Sequence, residues 1–164
     1  MTRAALLALL LLGGCGLQPL YSSGSHGVAA AALSDIGVAP TADRAGYIMA
    51  GRLQSRMGTA AADPHFRLEI ELDDQILSFG IRGDNSVTRE RRTLRARYRL
   101  VRIATNAVVL DATATSDAGI DRVSSDYAVV AGENTALERL AANLADQIVI
   151  RLAVFARQGG LTPP

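Results

Sequence analysis

The sequence predicts an α+β domain with the element order β-α-β-β-β-α. Two amphipathic helices are expected to pack on one face of a mostly antiparallel four-stranded sheet. Three consecutive segments alternate apolar and polar residues, which is typical of half-buried strands. A segment before them and a segment after them carry apolar residues at spacings of three and four, which is typical of helices with one buried face. The short turns between the three strands favour antiparallel hairpins.

Composition indicates one globular domain. The chain has 164 residues, of which 49% are hydrophobic and 20% are charged, enough for a single core. Its 17 basic residues are nearly balanced by 16 acidic ones, so the chain lacks the positive field on which general nucleic-acid binding depends. We therefore predict no nucleic-acid partner.

The first fourteen residues are typical of an export signal. Arg3 gives a basic start, an unbroken apolar run covers residues 4–12, and two glycines precede Cys15. The run is far shorter than the ~20 residues that a permanent membrane-spanning helix needs. The tetrapeptide Leu-Gly-Gly-Cys at residues 12–15 resembles a lipobox. That resemblance implies cleavage after Gly14, diacylglycerol on the sulfur of Cys15, and acylation of the new amino terminus.

Lipidation also explains the single cysteine. An exported chain with one cysteine cannot form an internal disulfide, and a free thiol is a liability in an oxidising compartment. Three acyl chains exceed the two signals that stable membrane anchoring needs. The residue after the cysteine is Gly16 and not an aspartate, which favours the outer membrane. We predict a lipid-anchored protein at its periplasmic face.

The rest of the chain divides into a tether, one domain and a tail. Residues 15–32 are rich in Gly, Ser and Ala and are interpreted as the lipidated N-terminus and tether. A single α/β domain is predicted over residues 33–158. Two glycines and two terminal prolines fall in a predicted tail over residues 159–164. No internal repeat indicates a second domain.

The domain is predicted to begin with a strand and a helix. Apolar residues over 33–39, ending before Pro40, indicate a short first strand. Thr41 or Asp43 can cap a helix that runs to about Met57. The apolar stripe of this helix consists of Ala45, Ile48, Met49, Leu53 and Met57.

Three strands follow, over residues 65–81, 87–103 and 108–116. The polar segment 83–85 and the pair Thr105-Asn106 supply the two reversals. The predicted core-facing residues are Phe66, Leu68, Ile70 and Leu72, then Leu94, Ala96, Tyr98 and Leu100, then Val108, Leu110, Ala112 and Ala114.

A loop over residues 117–125 is predicted to lead into a long C-terminal helix over 127–157. Gly132 weakens its first turns by roughly 1 kcal/mol relative to alanine. The apolar stripe of this helix consists of Leu137, Leu140, Leu144, Ile148, Leu152 and Phe155.

No catalytic or metal-binding constellation is evident. His26 and His65 have no pattern of metal-ligand spacing around them, and each is interpreted as a solvated loop residue. Asp73 and Asp74 are adjacent, so a strand would point them to opposite faces, and a turn or strand-end role is favoured over acid–base work. We predict that the chain is not an enzyme and needs no cofactor or metal.

One strand presents an unusual row of arginines. Two interpretations remain open for it: cross-strand pairing with carboxylates, or a surface for anionic groups such as phosphates. A hairpin centred on Asp84 would place Arg97 opposite Glu71 and Arg99 opposite Glu69. The predicted contact residues are Arg89, Arg91, Arg95, Arg97 and Arg99.

Near the hairpin tip, acidic residues are sparse in the sequence. The arginines outnumber the nearby carboxylates, so we expect some guanidinium groups to be unpaired, and Arg89, Arg91 and Arg92 have the fewest acidic neighbours. Arg92 would point to the opposite face of the strand from the other arginines, and we predict a β-bulge at that point.

Several of these segments together resemble the lipopolysaccharide-assembly lipoprotein family LptE. The start Gly-Cys-Gly-Leu-Gln-Pro-Leu-Tyr at residues 14–21 resembles the family's lipidated start, with Leu17 in place of the usual aromatic. Similar motifs are Val-Ala-Pro at 38–40, Arg-Leu at 67–68, Ala-Arg-Tyr-Arg-Leu at 96–100 and Ser-Asp-Tyr-Ala at 125–128. The resemblance covers the whole precursor in the same element order.

The resemblance implies a plug and assembly subunit for the outer-membrane β-barrel LptD, which places lipopolysaccharide in the outer leaflet. It also implies contact with lipopolysaccharide, whose phosphates suit the arginine row, although the same row can instead meet acidic residues of the barrel lumen. The family's basic positions vary, so the arginines are candidates from their pattern and not transferred sites. An auxiliary lipoprotein of a lipid-transport ABC system is the alternative, and an anchored periplasmic enzyme is a third.

Overall fold

The computed structural model describes residues 28–41, 43–81 and 87–161. The signal peptide, Cys15, His26 and most of the tether lie outside the described residues. The elements are α1 (Val28–Ser34), β1 (Ile36–Val38), α2 (Arg44–Met57), β2 (Phe66–Ile81), β3 (Val87–Arg102), β4 (Ala107–Asp121) and α3 (Asp126–Arg157).

The strands form one four-stranded sheet in the order β1-β2-β3-β4. β1 runs parallel to β2, and the other two pairs are antiparallel. The α+β prediction is confirmed, with one added helix at the start of the described chain. The predicted hairpin register is also confirmed, because Glu69 pairs with Arg99 and Glu71 pairs with Arg97.

The added helix, α1, occupies the end of the predicted tether. Its seven residues include a run of four alanines, and alanine is the strongest helix former. Leu33, near the end of α1, is only 2% exposed, so α1 contributes to the core. The first strand is consequently shorter than predicted, since it covers only Ile36–Val38 and not residues 33–39.

β4 is longer than predicted, and the predicted loop over residues 117–125 begins only after Asp121. Asp117 and Asp121 look like turn residues in the sequence, but in the structure they lie in the strand opposite Thr93 and Arg89. The β3–β4 register shifts between Leu100 and Val101, which marks a bulge near the start of β4.

Local capping sets the bounds of the helices. Asp43 has extended backbone, and its carboxylate accepts a 2.6 Å hydrogen bond from the backbone N–H of Gly46. Gly58 ends α2 with a φ of 85°, which L side chains rarely adopt. Ser125 caps α3 in the same way through the N–H of Ala128. Of the two predicted N-caps of α2, Thr41 and Asp43, the structure uses Asp43.

All three helices pack on one face of the sheet, where they bury a single apolar core. The opposite face of β2, β3 and β4 is not covered by any described residue. Among the described helices, none combines the length and the apolar character needed to cross a membrane. The most fully buried large side chains are Phe66, Leu33, Ile36, Met49, Leu53, Leu68, Leu94, Leu100, Leu140, Leu144, Ile148 and Leu152.

Candidate functional site

The uncovered side of the sheet, called the open face below, holds all five predicted contact residues. Strand periodicity puts alternate residues of β3 on this side, while Leu94, Ala96, Tyr98 and Leu100 between them are buried under the helices. The predicted segregation of arginine from the core is therefore confirmed. The open-face arginines of β3 are Arg89, Arg91, Arg95, Arg97 and Arg99.

Carboxylates flank the arginine row on both sides. β3 is central in the sheet, so each arginine has a neighbour on β2 and another on β4. Together with Arg67 the open face holds as many carboxylates as guanidinium groups, so the predicted excess of arginine over carboxylate is wrong, although Arg95 is unpaired among the described residues. The carboxylates on β4 were not predicted as partners, because their pairing with β3 depends on the register set by the β3–β4 turn, which the sequence does not reveal. The open-face carboxylates are Glu69, Glu71, Asp73, Asp111, Asp117 and Asp121.

Ion pairing is tightest at the end of the open face near the β3–β4 turn. Arg97 donates two hydrogen bonds to Asp111, from Nε at 3.2 Å and from Nη2 at 2.8 Å. This contact lowers the pKa of the Asp111 carboxyl and raises the pKa of Arg97. Arg99 lies 3.4 Å from both Glu69 and Glu71. Glu69 and Glu71, predicted from the sequence to lie opposite Arg99 and Arg97, therefore both contact Arg99.

Pairing is looser toward the β2–β3 hairpin tip. Arg89 donates from Nε to Asp121 at 3.2 Å, and Arg91 lies 3.9 Å from Asp117. The guanidinium of Arg91 also stacks over the ring of Phe79, 5.8 Å from its centroid. Leu77, opposite Arg91, is 63% exposed. Exposed apolar and cationic side chains therefore lie together at this end.

Arg95 differs from its neighbours in the row. It lies opposite Asp73 on β2 and Thr115 on β4. Both oxygens of Asp73 accept instead from the side-chain amide of Gln75, each at 3.2 Å. Within the described ranges, Arg95 makes no ion pair at 4.0 Å or less. Its guanidinium is exposed and can accept an anion without breaking an existing contact.

Arg92 faces the helices, and the predicted bulge at this position is wrong. The β2–β3 register is continuous there, with Arg92 opposite Ile76. The Arg92 guanidinium forms a bidentate ion pair with Asp74 and donates to the backbone carbonyl of Glu133 at 2.6 Å. The hydrogen bonding of Arg92 to the Asp74 carboxylate is the main cause of the raised pKa of Arg92. Asp74 is accordingly a mid-strand structural residue and not a turn residue.

A second buried ion pair lies beside it. Glu90 is 3% exposed, accepts from Arg122 at 2.8 Å and lies 3.4 Å from the hydroxyl of Ser78. Arg92 joins the hairpin to α3 through Glu133, and Glu90 joins it to Arg122, which lies in the loop between β4 and α3. Both ion pairs are internal, so they do not add to the charge of the open face.

The described residues contain no metal-binding cluster, and His65 and Glu138 each have a side-chain partner. No cluster of three or more His, Cys, Asp or Glu residues among them could hold a metal ion. His65 pairs with Asp35, whose carboxylate lies 2.8 Å from its Nδ1 and accepts from its backbone N–H at 3.0 Å. A surface depression of about 500 Å³ beside α2 contains Glu138, but this carboxylate pairs with Arg52 at 3.6 Å.

A comparison with protein families finds a match to the model of LptE, described as lipopolysaccharide-assembly, over residues 32–152. That match covers most of the chain, including every strand and most of α3. The chain belongs to the LptE family. The family resemblance of the sequence is thereby confirmed, and the chain is a lipopolysaccharide-assembly lipoprotein at the level of its family.

Solved structures share the fold of this LptE-family chain. A candidate lipoprotein from Caulobacter crescentus has a TM-score of 0.67 at 22% identity, covering 79% of this chain and 96% of that one. Rare lipoprotein B from Shewanella oneidensis has a TM-score of 0.56 at 10% identity, covering 75% and 95%. Lipoprotein B from Nitrosomonas europaea has a TM-score of 0.57 at 15% identity, covering 76% and 83%. No curated protein sequence matches the chain.

Proposed function

We propose that this LptE-family chain is an outer-membrane lipoprotein that serves as the plug and assembly subunit of the lipopolysaccharide translocon. Its partner would be the β-barrel LptD. The observation that carries this proposal is the open face, a broad sheet surface of alternating guanidinium and carboxylate groups that no described residue covers. Such a surface is stable only against water or another polar surface.

A barrel lumen offers that environment. The interior of a transmembrane barrel is polar, while its outer wall is apolar. The balanced charges of the open face can re-pair with polar lumen side chains without leaving a buried charge unpaired. The apolar layer is turned inward against the helices. We infer that the open face lies against the lumen wall.

Lipidation of Cys15 would hold the domain at the membrane. The export signal and lipobox at residues 1–15 support this step. The Gly- and Ser-rich stretch between Cys15 and α1 would give the domain reach from its acyl chains to the barrel. The outer membrane is the proposed location.

Direct contact with lipopolysaccharide would use the loosely paired end of the arginine row. Arg95 has no ion-pair partner among the described residues, and the Arg91–Asp117 contact is long at 3.9 Å. Guanidinium groups bind phosphate oxygens well. Leu77 and Phe79 lie beside these arginines and remain 63% and 42% exposed. This end of the open face therefore offers cations next to an apolar surface, as an anionic amphiphile requires.

Two measurements test the proposal. The full chain and the barrel should co-purify in mild detergent, and recovery of an inner-membrane permease in place of the barrel would favour the ABC-system alternative. Lipopolysaccharide binding should weaken as salt rises and on replacing Arg91 and Arg95 with glutamate. The matched control is Arg52→Glu on the helical side. Equal binding of lipopolysaccharide by both variants would show that the arginine row only forms structural ion pairs.

A further inference from the structure

The outer edge of β4 is the longest regular strand edge in the described structure. β4 has 15 residues and ends the sheet, so its second edge faces no strand. No hydrogen bond joins its backbone to any described residue outside β3. An edge of this length exposes a row of N–H and C=O groups that another strand can pair with.

β4 lacks the usual protection of an edge strand. Its sequence contains no proline, lysine or arginine, and its bulge lies near its beginning. From Asp111 onward every other residue is exposed on the open face, and the residues between are mostly small. Its aspartates do not repel a partner strand strongly, because each has an arginine of β3 nearby.

The free edge of β2 is less suitable. β1 covers only Phe66–Leu68, and Pro40 and Asp43 line a surface depression together with Ile70–Leu72 farther along the strand. Gly80 has a φ of 77°, which interrupts the extended geometry near the other end. The regular free edge of β2 is therefore confined to Asp73–Phe79, whereas β4 is regular beyond its initial bulge.

Charge indicates what kind of strand fits β4. Asp117 and Asp121 are contacted by arginine on the β3 side through one oxygen each, and their side chains are 62% and 80% exposed. Each carboxylate keeps acceptor capacity toward the open edge. The two residues are four apart on one face, so basic residues spaced by four on an added strand would lie opposite both.

A second copy of the chain fits poorly. Antiparallel two-fold pairing centred on Ala114 would place Asp111 opposite Asp117 of the second copy. Pairing centred on Ser116 would place Asp111 opposite Asp121 of the second copy. Like charges directly opposite each other in a sheet are destabilising. The register with the greatest overlap, centred on Ala114, is thus opposed by charge. Registers centred on Thr113 or Thr115 avoid that conflict, but β4 has no arginine or lysine, so a second copy supplies no basic partner to Asp117 or Asp121.

We propose that β4 is an edge-docking site for an extended, basic segment of a partner protein, which adds a fifth strand to the sheet. Thr113 and Thr115 would face hydroxyl or β-branched side chains of that segment. Backbone hydrogen bonds would supply affinity, and the pairs to Asp117 and Asp121 would fix the register. This site borders the arginine row, because Asp117 and Asp121 contact Arg91 and Arg89, but its backbone pairing does not require lipopolysaccharide.

The probe is a capped, fluorescent nine-residue peptide that alternates threonine and valine, with arginine at its third and seventh positions. Its binding to the full chain in detergent is measured by anisotropy. We expect binding that weakens about tenfold with glutamate at those two positions. Hydrogen exchange at β4 amides should slow on binding. A peptide methylated on alternate backbone nitrogens should not bind.

Matched variants locate the site. The double variant Asp117→Arg with Asp121→Arg should reverse the preference between the arginine and glutamate peptides. Glu71→Arg with Asp73→Arg, on β2, should preserve the original preference. The proposal is overturned if the peptides do not bind, if only the β2 variant alters binding, or if the chain alone forms a dimer that protects β4.

Discussion

At the scale of the residue, the strongest internal constraint is the contact of Arg92 with Asp74 and the carbonyl of Glu133. The guanidinium joins β2, β3 and α3 at a point where the core is no longer apolar. Its side chain is 10% exposed and that of Asp74 is 25% exposed. The arginine therefore neutralises a carboxylate that water reaches only in part.

We predict that Arg92→Met lowers the free energy of unfolding by about 2 kcal/mol, because it leaves Asp74 and a carbonyl without their donor. The value is below that of a fully buried pair, since solvent still screens Asp74. Urea unfolding monitored by circular dichroism gives the measurement. The double variant Arg92→Met with Asp74→Leu should be more stable than the single variant. A single variant as stable as the parent chain would contradict this role.

The second residue-scale prediction concerns Asp111. Its folded pKa is lowered by the hydrogen bond from Arg97, so its contribution to stability is complete above the ordinary value of about 3.9. That contribution is lost as the pH falls through the folded pKa. In Arg97→Gln, the carboxyl titration of Asp111 followed by NMR should move upward toward its ordinary range. An unchanged titration midpoint would assign the lowered pKa to another cause.

At the scale of the element, α2 contains two glycines with opposite roles. A Cβ added at Gly51 would meet no heavy atom within 4 Å. A Cβ added at Gly46 would collide with the side chain of Thr41, which lies under the helix start. Gly51 only weakens the helix, whereas Gly46 permits the close approach of Thr41 to the helix N-terminus.

We predict that Gly51→Ala raises the free energy of unfolding by about 0.5–1 kcal/mol through helix propensity and a less flexible unfolded chain. Gly46→Ala should lower it, because the first turn must shift away from Thr41. Thermal unfolding of the two variants side by side is the measurement. Stabilisation by both substitutions would show that the turn before α2 moves freely.

The elements themselves were largely predictable, because each strand and long helix follows one hydrophobic period over many residues. Asp43 also gave a reliable helix start, since an N-cap is a local signal. The length of β4 was not predictable in the same way. Asp117 and Gly119 favour turns locally, and the arginines that keep β4 extended lie on another strand. α1 was missed because a short alanine run also suits a tether.

The candidate site was predictable as a face but not as a set of contacts. The alternation of side chains along a strand is enough to assign the arginines at odd-numbered positions of β3 to one side of the sheet. Which of them are paired depends on β4, whose register follows a bulge that the sequence does not reveal. Arg95 stands out only once Asp73 is seen to bind Gln75.

At the scale of the whole molecule, one core joins the helical layer to the sheet. Leu144 of α3 is fully buried within it. We predict that Leu144→Ala lowers the free energy of unfolding by about 3 kcal/mol, because a cavity remains where the side chain packed. Helical and near-ultraviolet signals should be lost together. The control is Ile150→Ala, at a position that is 54% exposed, which should change stability little. Separate transitions for helices and sheet would contradict a single core.

The one-sided arrangement of the molecule leads to its proposed role. The helices protect the apolar side of the sheet, so the charged side is left free over three strands. A protein whose sheet is covered on one side only can present its polar side to a hydrated partner surface. The lipid anchor would then hold the domain at the membrane, and the open face would provide the surface that contacts the barrel.

Site-specific photocrosslinking in living cells tests the central claim most directly. A photoreactive side chain is placed at Thr93 or Thr113 on the open face, and at Tyr127 on the helical side as a comparison. We expect the open-face positions to yield an adduct with the outer-membrane barrel. Adducts with an inner-membrane permease, or no barrel adduct from either open-face position while the anchored protein is present at normal levels, would contradict this claim.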